Sequence, residues 1–506
     1  MKRIIIALSL FAGIVSTANV SAATVSGTVR DCDGHPLAGV KVSDGKTIVR
    51  TNRDGKYVIP TDKSNGYVFV CSPKGYEPSV TLANRPKFWQ LLTADASADE
   101  KADFRLRKTD DRKYRFITLA DIQIGRRIND VEFYHSKSVP DINAFINRSR
   151  AEGVEPFIIT LGDESWDAYW YTNGYALPEI IADEELLDCP VYNVIGNHDH
   201  DPYIAGDEHA SDTWRRLMGP NFYSFDKGDI HFVVLDNIDY VNDGGKPGTI
   251  GKRNYNNTIS DAQLDWLRAD LADIEPTTPV VVAMHIPLYR EDGTYSTSNG
   301  AELCEILAPF NDVRVLTGHT HYCYAVNSPD GKIKENNYGA VCGTWWATDQ
   351  PDYGNNSLCR DGSPSGYAVW DVDGSRLSGY YKGTALPVDY QFRVYDGNTL
   401  ETPETNAVYI NVWGWAPGWK IEVKENGKAL PVKQVTYRDP LHIISCEKPH
   451  LALGKKNPTM ASSTTHFFRT VTRKSTTPVT VTVTDAEGRS FTQTMTRPKP
   501  LATDMK

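Results

Sequence analysis

The sequence lacks a surplus of positive charge, and this excludes one class of partner. Its 506 residues include 54 Lys and Arg but 64 Asp and Glu, which gives a formal net charge of -10. Binding to a nucleic acid polymer requires a basic surface, because most of the affinity comes from neutralising backbone phosphates. We therefore expect no nucleic acid polymer as a partner.

Long hydrophobic runs are also missing, apart from one at the N-terminus. A basic pair at 2–3 precedes an apolar run at 4–15, and small residues at 20–22 provide a cleavage site. This order is typical of a secretory signal peptide over residues 1–22, because the run is too short to span a bilayer. We expect export to the periplasm or cell surface, a mature chain from about Ala23, and no integral membrane segment after cleavage.

Cysteine is sparse, with eight residues and no CxxC pair. This spacing disfavours a zinc ribbon but leaves any disulfide pairing open. Cys32 and Cys71 lie in one predicted domain and could pair, as could some of the cysteines at 304, 323, 342 and 359. Free buried thiols are the equal alternative.

Two outer segments have the short alternating stretches of β-sandwiches. Residues 23–108 alternate apolar and polar positions between Asp-Gly turns, and residues 387–506 are again β-rich. We assign no chemistry to the first segment and expect a spacer or docking role for it. In the second, the tryptophans at 413, 415 and 419 are either a carbohydrate platform or core residues, and the core is favoured. The histidines at 442, 450 and 466 show no ligand spacing.

The middle segment, residues 109–386, alternates apolar strands with helices. Strands are predicted at 114–120, 156–162, 190–196, 230–236, 279–285 and 313–318. Helices are predicted at 139–150, 261–274 and 301–307, the second with Ser260 and Gln263 as a capping box. Because the strands are continuously apolar, both faces of their sheets should be buried. The predicted fold class is α/β, with a layered domain between two small all-β sandwiches.

Metal-type donors follow five of these strands. They are Asp121, Gln123, Asp163, Asn197, His285, His319 and His321, with His198 beside Asn197. Each alone has an ordinary explanation as a turn former, a helix cap or a satisfied polar residue. In α/β domains, however, ligands bind at loops beyond the carboxyl ends of strands. Five strand ends that supply such donors therefore indicate one metal centre.

The order of these residues resembles the calcineurin-like metallophosphoesterases. This chain has DxQ, GD, GNHD, a lone His and GHTH where the family has DxH, GDxxD, GNH[DE], H and GHxH. The resemblance implies that the middle domain is a layered β-sandwich flanked by helices. The HxHxDH motif of metallo-β-lactamase-type enzymes fits less well, because Pro202 and Tyr203 occupy its Asp and His positions.

The outer segments extend this resemblance. Residues 23–108 resemble carboxypeptidase regulatory-like modules in a pattern that includes Gly39, Val40 and Val42, then Asp54, Gly55 and Tyr57. With the β-rich C-terminal segment, the arrangement resembles an exported bacterial three-part subfamily.

The resemblance implies two divalent metal ions bridged by Asp163. The first site would be completed by Asp121, Gln123 and His321, and the second by Asn197, His285 and His319. The expected ions are Mn, Fe, Zn or Mg. Gln123 stands where many members have His, and an amide oxygen is a harder and weaker ligand than imidazole, so Mn or Mg is favoured there.

The implied chemistry is hydrolysis of a phosphodiester or phosphomonoester by a hydroxide held between the metals. The substrate would be a small phosphorylated molecule such as a sugar, nucleotide or lipid. His198 would protonate the leaving oxygen. The family's second Asp falls on Trp166, so Asp167, one residue later, is the candidate to orient His198.

Four further residues are candidates for substrate contacts. Arg126 and Arg127 could bind phosphate oxygens, and Trp345 and Trp346 could stack on a sugar or base. Solvated arginines and core tryptophans are the ordinary alternatives.

Two other functions are open at this point. One is a catalytically degenerate surface protein that binds glycan or lipid. The other is a hydrolase acting on sulfate or carboxyl esters. The sequence does not predict the natural substrate or the oligomeric state.

Overall fold

The computed structural model describes residues 23–244, 249–347, 357–454 and 460–505. Within these ranges, a layered α/β domain lies between two β-sandwiches. No helix in the described ranges is both long and apolar enough to cross a membrane. The predicted signal peptide at 1–22 lies outside them.

The N-terminal sandwich consists of nine short strands in two sheets. These are β1 (Ala23–Asp31), β2 (Lys41–Ser43), β3 (Ile48–Arg50), β4 (Lys56–Thr61), β5 (Tyr67–Val70), β6 (Tyr76–Pro78), β7 (Trp89–Leu91), β8 (Glu100–Lys101) and β9 (Phe104–Lys108). One sheet has the order β4-β1-β9-β6, with β8 also paired to β1, and the other has the order β3-β2-β5-β7. Alternation in β4, where every second residue is buried, matches one face packed on a core.

The middle domain is built on two sheets that pack face to face. Their strands are β10 (Lys113–Leu119), β11 (Glu155–Thr160), β12 (Val191–Tyr192), β13 (Tyr223–Lys227), β14 (Ile230–Val234), β17 (Val280–Ala283), β18 (Val313–Thr317), β19 (Tyr324–Asn327), β20 (Ile333–Asn337), β21 (Gly366–Asp373) and β22 (Arg376–Gly383), and a separate ribbon is formed by β15 (Ile238–Asp239) and β16 (Asn256–Asn257). The orders are β12-β11-β10-β21-β22 and β13-β14-β17-β18-β20-β19. Phe116 and Phe157 of the first sheet contact Phe232 of the second, so aromatic side chains fill the space between them.

Helices cover the outer faces of these sheets. They are α1 (Asp130–Phe133), continued by a π-helical turn (Tyr134–Ser138) into α2 (Val139–Ala151), then α3 (Leu177–Glu184), α4 (Asp207–Ala210), α5 (Asp212–Leu217), α6 (Asp261–Leu271) and α7 (Gly300–Leu307). The α6 N-terminus forms half of the predicted capping box: Ser260 Oγ accepts from the Gln263 N–H at 3.3 Å. The Gln263 side chain instead bonds the backbone of Asp236 and ties α6 to the end of β14.

The C-terminal sandwich also has two sheets. Its elements are β23 (Arg393–Asp396), β24 (Ala407–Asn411), β25 (Lys420–Glu425), β26 (Lys428–Leu430), β27 (Lys433–Arg438), α8 (Pro440–His442), α9 (Lys448–Ala452), β28 (Ser463–Val471), β29 (Val479–Thr484) and β30 (Ser490–Met495). The sheet orders are β23-β24-β28-β27 and β26-β25-β29-β30. Trp413 is fully buried, and Trp415 and Trp419 are half-buried against core residues, so all three tryptophans contribute to core packing.

Two further expectations can be compared with this fold. The N-terminal sandwich shares one continuous hydrophobic cluster with the middle domain, so it is packed against that domain and does not act as a separate spacer. Cys32 is an exposed free thiol and Cys71 a buried one, so they are not paired, and the cysteines at 304, 323, 342 and 359 are also free thiols. Of the two alternatives for the cysteines, the structure has the free thiols.

Candidate metal centre

The predicted metal donors lie at the ends of strands from both facing sheets. They follow β10, β11 and β12 in one sheet, and β17 and β18 in the other. Five of them have positive φ: Asp121 (50°), Gln123 (43°), Asp163 (54°), His319 (72°) and His321 (57°). This conformation is costly for a residue with a Cβ, and such residues cluster at functional sites. Sharp backbone turns after the strands therefore aim the donors at one place.

Glycines allow these loops to approach one another closely. A Cβ on Gly162 would lie 2.6 Å from Nδ1 of His285, and a Cβ on Gly318 would lie 2.6 Å from Oδ2 of Asp121. Any larger residue at either position would displace a donor side chain.

One group of donors surrounds His285. Its Nε2 lies 3.3 Å from Oδ2 of Asp163, 3.0 Å from Oδ1 of Asn197 and 3.1 Å from Nδ1 of His319. The Nδ1 of His285 is 2.8 Å from the carbonyl oxygen of Leu161, which fixes the ring as an Nδ1–H donor there. In the neutral ring, Nε2 therefore directs its lone pair towards three other ligand atoms. These four side chains are the predicted second site with its bridging carboxylate.

A second group surrounds Asp121. The Nε2 of His321 lies 3.4 Å from Oδ1 of Asp121, and that oxygen is buried without a hydrogen-bond partner among the described residues. Nδ1 of His321 is 2.8 Å from the Gly343 carbonyl oxygen, so Nε2 again carries the lone pair. Gln123 joins this group to Asp163, because its Nε2 donates to Oδ2 of Asp163 at 3.0 Å. Its amide oxygen becomes available to a cation when the amide group is turned over.

These arrangements fit positively charged ions. In both groups, buried acceptor atoms point at other acceptor atoms, which is unfavourable unless a proton or a metal ion lies between them. The donor set of carboxylates, imidazoles and amide oxygens is the type that divalent ions bind. The residues that the sequence assigned to two sites thus lie in two adjoining groups that share Asp163.

The pKa values show the same coupling. Burial lowers the pKa of His285, but the Asp163 carboxylate outweighs this and raises it to about 9. Burial, and then the charge of His285, lowers the pKa of His319 to about 4. Burial opposes ionisation of Asp163, whereas His285 and His198 hold its pKa well below the usual range. His319 is therefore a neutral lone-pair donor at neutral pH, and a metal ion would displace the proton that His285 shares with Asp163.

Asp167 lies beside His198, the predicted catalytic histidine. Its Oδ1 is 2.8 Å from Nδ1 of His198, and the short helical turn Asp167–Tyr169 places it there, with the Asp167 N–H bonded to the His198 carbonyl oxygen. Nε2 of His198 faces Asp163 at 4.0 Å. Burial opposes protonation, but Asp163 and Asp167 together raise the pKa of His198. Asp167, although it stands one residue after the position of the family's second Asp, is thus placed to orient His198.

The sequence did not identify two residues around this pair. Nη1 of Arg253 lies 2.8 Å from Oδ1 of Asp167, and the hydroxyl of Tyr240 donates to Oδ2 of Asp167 at 3.4 Å. Both come from the long segment between β14 and α6, where no motif marks them. Only their spatial position shows the relation to Asp167.

The four predicted substrate residues divide into different environments. Arg126 is exposed and lies over the Tyr175 ring at 4.9 Å. Arg127 lies over Trp166 at 4.5 Å and donates to the Trp345 carbonyl oxygen, and its Nε is buried without a hydrogen-bond partner among the described residues. Trp345 is partly exposed, with its ring centroid 4.4 Å from that of His321.

Trp346 is the exception among these four. Its side chain is buried, and its indole N–H donates to the Ile122 carbonyl oxygen at 2.8 Å. It therefore packs under the loop that carries Asp121 and Gln123, and has no surface on which a sugar or base could stack. The predicted pair of tryptophans is split between the interior and the rim of the site.

Comparison with known proteins identifies the class of protein. Calcineurin-like phosphoesterase models match three consecutive segments: the N-terminal part at residues 23–109, the core at 114–323 and the C-terminal part at 335–491. The chain belongs to the calcineurin-like phosphoesterase family and has all three parts. This supports the predicted enzyme class, a metal-dependent phosphoric ester hydrolase. The C-terminal match begins inside the middle domain of the structure. Strands β21 and β22, the second of which ends at Gly383, lie within that match but pair in a sheet of the middle domain.

Individual relatives are more distant. Purple acid phosphatase 23 of Arabidopsis thaliana is 31% identical over 145 residues, which are 26% of this chain and 28% of that protein. A dimetal phosphatase from Danio rerio is 16% identical, with a TM-score of 0.39 over 54% of this chain and 97% of that one. A 5'-nucleotidase from Candida albicans is 11% identical, with a TM-score of 0.31 over 53% and 50% of the two chains.

Proposed function

We propose that this chain is an exported phosphoesterase that uses two divalent metal ions to hydrolyse a phosphodiester or phosphomonoester of a small molecule. The observation that carries the proposal is the pair His198–Asp167, which faces Asp163 beside two groups of buried ligand atoms. When bound there, the ions would supply an activated water and positive charge for the phosphate oxygens. Two divalent ions exceed the charge of Asp121 and Asp163 by two, which suits an anionic ester.

His198 is the proton donor in this proposal. Because Nδ1 is held by Asp167 at 2.8 Å, Nε2 is the nitrogen turned towards Asp163 and the metal donors. The raised pKa favours the protonated ring, whose Nε2–H can pass its proton to the leaving oxygen. Arg253 shares Oδ1 of Asp167 and thereby fixes the carboxylate that orients the ring.

Arg127 is the side chain best suited to a phosphate oxygen. It forms no ion pair with a carboxylate in the described parts of the chain, and it spans the gap between Trp166 and the Trp345 carbonyl oxygen. A guanidinium with unused donors beside a metal centre is a typical contact for phosphate. Trp345, whose carbonyl oxygen Arg127 bonds, would form the adjoining wall of the site.

Turnover of two substrates tests the proposal. Bis-p-nitrophenyl phosphate and p-nitrophenyl phosphate should be hydrolysed with added Mn²⁺, and Asp163→Asn should lose about 1000-fold of kcat/KM because both ions share this carboxylate. Asp371→Asn, a surface carboxylate paired with Arg115, is the matched control. Absence of turnover with any divalent metal, or full activity of Asp163→Asn, would favour the alternative of a surface binding protein.

The metal preference has a separate test. Because Gln123 offers only an amide oxygen, the first site should hold Mn²⁺ or Mg²⁺ and should release metal readily on dialysis. Gln123→His should retain zinc more tightly. Metal analysis that finds two tightly held zinc ions in the unmodified chain would contradict this expectation.

Export is tested on the intact precursor. Expression in a Gram-negative host, followed by fractionation and N-terminal sequencing, should yield a periplasmic or surface-bound chain beginning at about Ala23. A cytoplasmic chain that keeps residues 1–22 would contradict the proposed export.

A further inference from the structure

Arg360 lies between the metal loop and the C-terminal sandwich. Its N–H donates to the His321 carbonyl oxygen at 3.0 Å, and its own carbonyl oxygen accepts from the Ser462 N–H at 2.7 Å. The backbone of Arg360 is thus bonded on one side to a metal-site residue and on the other to a residue that leads into β28. Its position relative to His321 is fixed by the main chain.

The residues that follow Arg360 are held from both sides. Oδ2 of Asp361 accepts from the Cys323 N–H at 2.8 Å and lies 3.2 Å from Nε2 of His466. The Asp361 carbonyl oxygen accepts from Nδ2 of Asn411 at 2.8 Å, and Arg393 donates to the Gly362 carbonyl oxygen at 2.7 Å. The C-terminal sandwich therefore holds the segment that carries Arg360.

The Arg360 side chain has few partners of its own. Its guanidinium lies 5.8 Å from the centre of the Trp345 ring, and its Nε reaches the Met460 carbonyl oxygen only at 3.4 Å. Within the described ranges it forms no ion pair, and the neighbouring Asp361 carboxylate is used by Cys323 and His466. Burial lowers its pKa. Desolvating an unpaired cation is unfavourable unless a ligand compensates.

The side chain also lies close to the metal donors. The Trp345 ring centre lies 4.4 Å from that of His321 and 5.8 Å from the Arg360 guanidinium. Trp345 therefore lies in contact with both the metal-site histidine and the arginine. Arg469 provides the contrast: it also lies over a ring, that of Tyr409, but it is paired with Glu404. Arg360 has the aromatic neighbour but no carboxylate partner among the described residues, so its η nitrogens can bind an anion.

We propose that Arg360 and Trp345 form a subsite for a second anionic group of the substrate, a carboxylate or phosphate carried a few atoms beyond the phosphate at the metals. This inference rests on the proposed function, since it adds a binding group to the same site. It would make the enzyme selective for esters that carry two acidic groups.

Binding of non-hydrolysable phosphonates to the metal-loaded full chain tests the subsite. Propylphosphonate and 2-carboxyethylphosphonate differ only in the second acidic group, and ethane-1,2-diphosphonate replaces the carboxylate by a phosphonate. By calorimetry, the wild type should bind at least one of the two ligands that carry a second acidic group about 10-fold more tightly than propylphosphonate. This is the effect of one charge-assisted pair. Arg360→Gln should remove that preference and leave propylphosphonate affinity unchanged, whereas Arg360→Lys should keep part of it.

Matched variants and turnover separate this inference from the proposed function. Arg469→Gln should keep the preference, because that arginine is already paired with Glu404 in the C-terminal sandwich. If Arg360→Gln retains the preference, or weakens all three ligands equally, the subsite is wrong. Turnover of bis-p-nitrophenyl phosphate, with all three phosphonates bound equally tightly, would support the proposed function and refute the subsite. Tighter binding of the ligands with a second acidic group, without turnover of any ester, would support the subsite and refute the proposed function.

Discussion

The two sandwiches join the middle domain in different ways. The N-terminal junction includes apolar contacts with α6: Trp266 of α6 packs against Phe69 of β5 at a ring distance of 6.1 Å, and its indole N–H donates to Ser43 at 3.1 Å. A buried charged group lies beside it, where Lys41 reaches Asp270 at 3.2 Å. These contacts lie on the side of the second sheet that is covered by α6.

The C-terminal junction has buried hydrogen bonds beside the metal centre. Asp361 and Gly362 receive hydrogen bonds from the sandwich, and Oγ1 of Thr344 lies 3.0 Å from Nε2 of the buried His442. Thr344 is next to Trp345, and Asp361 bonds the Cys323 N–H just after the GHTH loop. Directional bonds therefore fix the position of the loops that form the rim of the site.

This difference indicates a division of roles. Apolar burial stabilises without specifying the position of individual atoms, whereas hydrogen bonds between buried groups impose geometry. We therefore expect changes at the N-terminal junction to affect mainly stability, and changes at the C-terminal junction to affect mainly activity. The following predictions test this expectation.

The largest effect is expected from Trp266→Ala. This side chain is fully buried and also contacts Phe222 at 5.1 Å, so its removal should cost about 3–5 kcal/mol of unfolding free energy. The measurement is denaturant unfolding together with kcat/KM of the folded protein, which should stay within about twofold of wild type. Trp266→Phe should cost less. A large loss of activity without a loss of stability would contradict the division of roles.

The charged group at the N-terminal junction predicts a pH dependence. His231 lies 2.7 Å from Asp226 and 2.9 Å from Asp270, and Lys41 reaches the same Asp270. Burial opposes protonation, but Asp270 and Asp226 raise the pKa of His231 to about 9. Because the unfolded value is about 6.5, the stabilisation is complete below that pH and is lost as the pH rises through about 9.

This pH effect should amount to about 2–3 kcal/mol between pH 6 and 10. Unfolding of the wild type and of His231→Gln across this range measures it, and the variant should show a smaller decrease above pH 7. Equal decreases in both proteins would show that another group is responsible.

The sequence predicts some residues of this site and not others. Donors that follow strands, such as Asp163 and His285, are predictable because strand ends in a layered α/β domain meet at one edge. Arg253 and Arg360 are not, because they lie in segments whose spacing carries no motif and whose position depends on tertiary packing. The domain against which the N-terminal sandwich packs was not predictable for the same reason: alternation in β4 predicts a buried face, but not the domain that covers it.

At the C-terminal junction, Asp361→Asn should reduce activity more than stability. An amide nitrogen placed at Oδ2 could no longer accept from the Cys323 N–H, and the ion pair with His466 would lose its charge. We expect a cost of about 1–3 kcal/mol and about a 10-fold loss of kcat/KM, because the loop after His321 would shift. Steady-state kinetics with saturating metal, beside unfolding curves, measures both. Asp371→Asn is the control, and unchanged kinetics would remove the link between this sandwich and the site.

The smallest effect is expected from Thr344→Val. Oγ1 of Thr344 donates to the Leu358 carbonyl oxygen at 2.7 Å and contacts His442, so the change leaves His442 without this partner and keeps the side-chain volume. Burial lowers the pKa of His442 to about 3, so the ring stays neutral, and the loss should be about 1 kcal/mol, the low end of the cost of an unsatisfied buried group. Because Trp345 is the next residue, KM should rise about twofold while kcat stays constant. A fall in kcat with constant KM would instead place this contact in the support of the metal donors, since His321 bonds Gly343 on the same turn.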